Sequence, residues 1–258
     1  MTEKYERLTD SQWAAISEEF DIKRKRTLDL RNILDALYYI VRTGCQWRNL
    51  PAEFPKWTAV YYYFGKWTKD STLQNMNDIV NQHDRKKEQR DAFPSVLCAD
   101  TQSVKLHPMI FEDRGFDANK KINGRKRQYL VDTDGRLWRT KVHAANGHDG
   151  VGALPLLDDL EGMNSRLKKI LGDDAYKGQF AEKVAAKNMI FECASRPPTE
   201  KGFVPIAQRW VVERTIAWSN FFRRIVKDYE YSVQSSATWL ILANSYIMLR
   251  RIKDENKI

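Results

Sequence analysis

Apolar positions recur with a helical period over the first third of the chain and shift to strand-like runs beyond residue 95. Thr9 or Asp10 is placed to cap a short helix carrying Trp13, Ile16 and Phe20. Leu28, Ile33, Leu34, Leu37, Ile40 and Val41 then mark one face of a longer helix, for which Gly44 is the stop. Beyond the turn at 45–51, Thr58 is placed to cap a helix with Val60, Tyr61, Phe64 and Trp67 on one face. Leu73, Met76, Ile79 and Val80 predict another from Thr72. The stretch 84–91 carries both signs of charge and no apolar face, and reads as a solvated helix end or linker.

The second region opens with Val96-Leu97-Cys98-Ala99, a short apolar run that predicts a buried strand ending at Asp100. Residues 128–132 and 137–143 predict two strands joined at Asp134-Gly135, a dipeptide that tolerates positive φ and signals a hairpin. A helix is expected over 149–160, with Val151, Leu154, Leu157 and Leu160 as its stripe. A strand at 170–172 leads into Asp173-Asp174, followed by a helix at 180–187 and a strand at 189–193. Two long helices, 206–226 and 235–251, end the chain, the last apolar enough to pack on the sheet or a second subunit. This order predicts an α/β fold of ribonuclease-H-like type, a mixed sheet flanked by helices, in which three antiparallel strands precede parallel ones. The expected division is a small all-α domain over 1–90 and an α/β domain over 91–258.

Charge sharpens this picture. Lys and Arg number 43 against 34 acids, a net charge of +9, which suits a polyanionic partner. Short helices, a tight turn and the basic run Lys23-Arg24-Lys25-Arg26 resemble a helix-turn-helix module, with Tyr62, Lys66 and Lys69 facing a DNA groove. An ordinary helical bundle with core aromatics fits the same pattern. No apolar run approaches the roughly 18 residues of a membrane span, and the first residues lack the apolar core of a secretion signal. Cys45, Cys98 and Cys193 are odd in number and far apart, so reduced thiols in a cytoplasmic protein are expected.

Metal-assisted phosphodiester cleavage needs hard oxygen ligands on rigid elements. Asp100, Asp173 and Glu213 are the candidates, with Asp174 competing for the role of Asp173. An acid following Val-Leu-Cys-Ala is costly to bury unless it has partners. The plainer alternatives are turn caps for the two aspartates and an i,i+4 pair between Arg209 and Glu213. Lys120, Lys121, Arg125, Lys126 and Arg127 either grip phosphates or form a solvated basic segment. His143, His148 and Asp149 lack the spacing of a zinc motif and are read as hydrogen-bonding or packing residues. Trp210 and Trp218 are most simply core.

Several long segments carry a family resemblance. Leu-Arg-Asn-Ile-Leu-Asp-Ala-Leu-Tyr-Tyr-Ile-Val-Arg-Thr-Gly-Cys-Gln-Trp-Arg-Asn-Leu-Pro, Asp100-Thr101-Gln102-Ser103-Val104, Val131-Asp132-Thr133-Asp134-Gly135 and Arg209-Trp210-Val211-Val212-Glu213-Arg214 occur in order. Together they resemble bacterial insertion-sequence transposases of the DDE superfamily, of the insertion-sequence-five type. The resemblance implies that Asp100, Asp173 and Glu213 hold two Mg²⁺ ions, with Mn²⁺ as a substitute. The wider superfamily places Tyr and Lys where Ile206 and Asn220 stand here, so Arg209 alone survives of that frame. Arg223 and Arg224 are candidates for the missing cation. The implied protein is nucleoid-associated, binds double-stranded insertion-sequence ends and target DNA, and works as a homodimer or larger assembly. The alternatives are an inactive, transposase-derived DNA-binding protein and a structure-selective nuclease.

Overall fold

The computed structural model describes residues 5–20, 27–163, 165–193 and 209–252, without the side chains of Glu161 and Arg209. The basic run at 23–26 and Ile206 lie outside the described residues. In chain order the helices are α1 (Asp10–Ala14), α2 (Leu30–Thr43), α3 (Trp57–Lys69), α4 (Thr72–Lys87), α5 (Asp149–Ala153), α6 (Gln179–Ala186), α7 (Arg209–Ser219) and α8 (Val233–Leu249). The strands are β1 (Val96–Lys105), β2 (Gly115–Asp117), β3 (Ile122–Asp132), β4 (Leu137–Ala144), β5 (Lys169–Gly172) and β6 (Ile190–Cys193). Two compact units result: Met1–Ala92 with Ser219–Val226 and Gln234–Ile258, and Phe93–Trp218 with Lys227–Val233.

In the helical unit, Thr9 and Gln12 form a reciprocal capping box at the start of α1. Asp29 caps α2, which ends at Gly44 with φ +72°. A Cβ at Gly44 would lie 3.0 Å from the Cβ of Arg223, so close approach adds to the conformational demand for glycine. α3 begins at Trp57, one residue before the expected cap Thr58, with no side-chain cap. Val60, Phe64 and Trp67 are buried, but Tyr61 is 55% exposed, so the apolar face is narrower than the pattern predicts. The stretch read as a solvated helix end or linker begins as the end of α4, and it is not wholly solvated, since Asp84 and Arg85 are buried. Asp84 accepts from Arg251 at 2.8 Å, and Arg85 Nε donates to the Asp91 carbonyl at 2.7 Å. Those partners satisfy charges that would otherwise be costly to bury, and Arg251 is too remote in sequence for a local pattern to reveal it.

α8 packs with these helices. Trp239 stacks on Phe64 with ring centroids 4.5 Å apart, and Tyr38 shares a hydrogen bond with Ser245 at 3.0 Å. Asn244 Nδ2 donates to Asn77 and Asn81 at 2.7 and 3.1 Å. This buried polar cluster fixes the register of α8, because sliding it would strand an amide at about 1–3 kcal/mol.

The second unit is built on a mixed sheet of order β2-β3-β1-β5-β6, with β4 also paired to β3. β1, β3 and β4 are antiparallel, while β5 and β6 run parallel to β1. That is the ribonuclease-H-like arrangement expected from the element order. Leu97, Ala99, Leu130 and Ile170 join Leu156, Leu157, Leu160, Phe180 and Val184 in the core. β1 is longer than the apolar run implied, and Asp100 sits at its middle instead of its end. The helix expected over 149–160 is α5 followed by a 3-10 stretch, Leu154–Met163. Pro155 lacks the N–H that a continuous helix would use there, and Val151, placed on the apolar stripe, is exposed. α7 stops at Ser219, seven residues before the expected 226.

Candidate active site

The parallel pairing of β1 and β5 aligns Val96 with Lys169, Leu97 with Ile170 and Cys98 with Leu171. Asp173 stays extended, at φ −87° and ψ −174°, so continuing the register by two positions sets it beside Asp100. Neighbouring strands lie about 4.8 Å apart, which makes these two acids adjacent on rigid backbone. Alternation along β1 sends Leu97 and Ala99 into the core and Asp100 to the opposite face, where Tyr129 is its cross-strand neighbour.

Each aspartate is held locally. Asp100 Oδ1 accepts from the Thr101 amide at 2.7 Å, and Asp173 Oδ1 accepts from the Ala175 amide at 3.0 Å. Asp174 behaves differently: it is exposed, pairs with Lys177 at 2.6 Å and accepts from Cys193 Sγ at 3.0 Å. The hydrogen bond from Lys177, then that from Cys193, holds its carboxyl below the usual range. Of the competing pair, Asp173 is therefore the one beside Asp100.

A sequence reading gives no role to Tyr176, which is buried behind the acids and donates to Gln128 Oε1 at 2.8 Å. Burial, then the negative charges of Asp100, Asp149 and Asp173, pushes its hydroxyl well above the usual value, so it stays protonated. Its position three residues past Asp173 is the available signal. Gln128 Nε2 also donates to the Asp149 carbonyl and meets His143 Nε2, each at 3.0 Å. His143 Nδ1 faces the Ala144 carbonyl at 2.9 Å and must carry the proton there, leaving Nε2 to accept from Gln128.

Burial lowers the His143 pKa, against the raising effect of the Ala144 hydrogen bond. The unfolded imidazole takes up a proton before the folded one does. This contribution to stability is therefore intact above about pH 6.5 and is lost as pH falls below it, at up to about 1.4 kcal/mol per pH unit. The melting temperature of His143→Gln should accordingly fall less steeply than that of the wild type between pH 7 and pH 5. Parallel slopes would show that His143 titrates alike in both states.

The donor chemistry of the two aspartates suits a hard divalent ion. Cys98 lies on the same β1 face, but burial, then the charge of Asp132, pushes its thiol up to about 12, so no thiolate competes. Glu213 is exposed on α7. Among the described residues, no three His, Cys, Asp or Glu side chains are grouped to hold a metal, so Glu213 is not gathered into one cluster with Asp100 and Asp173.

The basic candidates divide. Lys120 and Lys121 are exposed in the β2–β3 turn, as a phosphate contact requires. Arg125 and Arg127 do not fit that role, because the strand alternation buries both at 0% and 2% exposure. Arg125 is paired with Asp228 at 3.3 Å and donates to the Glu112, Glu230 and Tyr231 carbonyls. Lys126 is half-buried and bonded to Asp149 at 2.7 Å. Arg209 opens α7, with its side chain outside the described residues. Arg223 and Arg224 lie beyond α7, their amides donating to the Arg42 and Val41 carbonyls at the end of α2. Arg224 also lies over the rings of Trp47 and Trp239. In the helical unit Tyr62, Lys66 and Lys69 are all exposed along α3. Trp210 and Trp218 are not core: Trp210 is 44% exposed, Trp218 is half-buried, and the two sandwich Arg214.

Residues 8–77 match a family of IS4/5-type transposases, and residues 91–248, more than half of the chain, match the transposase DDE domain. The chain belongs to the DDE transposases. A transposase of this family cuts DNA strands and transfers them, with a general dependence on divalent metal. Similar solved structures include a piggyBac transposase synaptic complex with hairpin DNA, at 9% identity and TM-score 0.45, covering 95% of this chain and 71% of that one. Another is a pre-cleavage Mos1 transpososome, at 9% identity and TM-score 0.27, covering 90% and 80%. No curated protein matches the chain. Among the described residues, no helix of the transposase is long and apolar enough to cross a membrane.

Proposed function

We propose that the transposase binds the ends of an insertion sequence and cuts and transfers them at Asp100, Asp173 and Glu213. The register that sets Asp173, just past β5, beside Asp100 on the parallel strand β1 carries this reading. Two Mg²⁺ ions, or Mn²⁺ in their place, would activate the attacking hydroxyl and stabilise the leaving oxygen when bound there. Asp100 supplies oxygens from the middle of β1 and Asp173 from just past the end of β5, Glu213 supplies the third carboxylate from α7, and Lys120 and Lys121 contact backbone phosphates nearby. Division of labour puts end recognition in the N-terminal 1–90 region, whose compact unit also takes in Ser219–Val226 and Gln234–Ile258, and catalysis within 91–258. On this reading α3 enters a groove with Tyr62, Lys66 and Lys69 outward, and a homodimer or larger assembly brings two double-stranded ends together. The site of action is the nucleoid.

Because Trp239 of α8 stacks on Phe64, the full chain is the object to test, not a fragment ending near 84. It should cut a duplex carrying the element's end in Mg²⁺ and spare a shuffled duplex. Cutting both equally would indicate a nuclease, and binding without cutting would indicate an inactive descendant. Lys66→Ala with Lys69→Ala should weaken binding to both duplexes and flatten the salt dependence by roughly 0.9 for each phosphate the variant leaves without its cation. An unchanged salt slope would remove α3 from the DNA interface.

A further inference from the structure

We propose that the β3–β4 turn is the positioning device for Glu213, a latch that fixes α7 relative to the strand bearing Asp100. This rests on the reading of Glu213 as the third acid. The two residues that follow it are both tied to the turn: Arg214 Nη2 donates to the Asp134 carbonyl at 2.9 Å, and Thr215 Oγ1 to the Gly135 carbonyl at 2.8 Å. Arg214 is gripped between Trp210 and Trp218, with its guanidinium 4.4 and 4.5 Å from their ring centroids, which restrains it from swinging away.

The turn itself is rigid. Buried Asp132 accepts with Oδ1 from the amides of Asp134 and Arg136, at 3.0 and 3.1 Å. Arg136, wholly buried, bonds Asp132 at 3.3 Å and Asp134 at 2.8 Å. Gly135 has φ +87°, and a Cβ there would come within 2.6 Å of Thr215 Oγ1 and 3.3 Å of Arg214 Nη2. Its glycine therefore serves the approach of α7 as well as the turn. Asp132 is paired with Leu97, three residues before Asp100 on β1. Strand pairing thus ties β1, which carries Asp100, to the turn, and the side chains of Arg214 and Thr215 tie the turn to α7, so slack in these links would displace Glu213.

The test uses full-length protein, with Mn²⁺ binding followed through the electron paramagnetic resonance signal of free Mn²⁺, and single-turnover cutting of an end duplex. Thr215→Val keeps the shape but removes the hydroxyl. It should weaken Mn²⁺ binding and slow cutting by about tenfold or more, the usual effect of losing a group that orients a ligand. Duplex affinity should stay within about twofold, since no phosphate contact is touched. Thr215→Ser, which restores the hydroxyl, should recover both. A structural role alone would lower the melting temperature without moving the Mn²⁺ titration. If Thr215→Val does not fold, Arg214→Lys, which breaks the planar donor fork, carries the same expectation. Wild-type Mn²⁺ binding and cutting in these variants, or a Thr215→Ser as impaired as Thr215→Val, would overturn the latch. Glu213→Gln run alongside separates the two claims. If it loses Mn²⁺ and cutting while the latch variants keep both, only the latch is wrong. If it too behaves as wild type, the third-acid reading fails and the latch falls with it.

Discussion

Arg125→Met is expected to lower the melting temperature of the transposase by roughly 10 °C, a buried-charge effect of about 3–5 kcal/mol. Arg125 and Asp228 are both 0% exposed, so removing the guanidinium leaves a carboxylate in the interior with the Glu230 amide, at 2.9 Å, on its other oxygen. Carbonyls of Glu112, Glu230 and Tyr231 lose a charged donor in the same step. Those carbonyls belong to two segments otherwise joined at their bases, where the His107 amide donates to the Asp228 carbonyl and the Asp228 amide to that of Lys105. Limited proteolysis near residues 107–112 and 228–231 should accelerate together with the loss of stability. Adding Asp228→Leu to Arg125→Met should recover part of the loss, since the buried carboxylate that Arg125 faced is then removed as well. A thermal shift under about 2 °C would equate this pair with a surface salt bridge.

Arg125 also shows where sequence reading stops. Along the chain it stands in Arg125-Lys126-Arg127, a run that looks like a solvated phosphate grip. Its partner Asp228 lies 103 residues away, and only the sheet register reveals that Arg125 and Arg127 point inward. α8 is a similar case, since its apolar surface announces burial but not that Phe64, Tyr38 and Asn77 cover it. β1 looks short in sequence because Thr101, Gln102 and Ser103 break the apolar run that marks a buried strand. Signals that act locally are legible: a cap at Thr9 or Asp10, which the structure resolves to Thr9, the glycine ending α2 and the hairpin at Asp134-Gly135. Asp100 is legible because an acid after four apolar residues needs an explanation. Choosing Asp173 over Asp174 requires the strand register and the partners of each side chain.

That choice yields the second large effect. At saturating end duplex, Asp173→Asn and Asp100→Asn should each slow single-turnover cutting by several powers of ten, because a neutral amide holds a divalent ion poorly and misaligns the reacting groups. Duplex affinity should be equal to the wild type or higher, as a negative charge near the DNA backbone is gone. Asp174→Asn should cut at close to the wild-type rate. Its carboxylate is exposed and pairs with Lys177 across one short turn, an arrangement that contributes little to stability. Side-by-side cutting rates of the wild type and these three variants, on one preparation of end duplex, test the assignment of Asp100 and Asp173 as the metal-holding pair. Asp100→Asn and Asp173→Asn should fall together while Asp174→Asn stays active. An inactive Asp174→Asn beside an active, folded Asp173→Asn would contradict it.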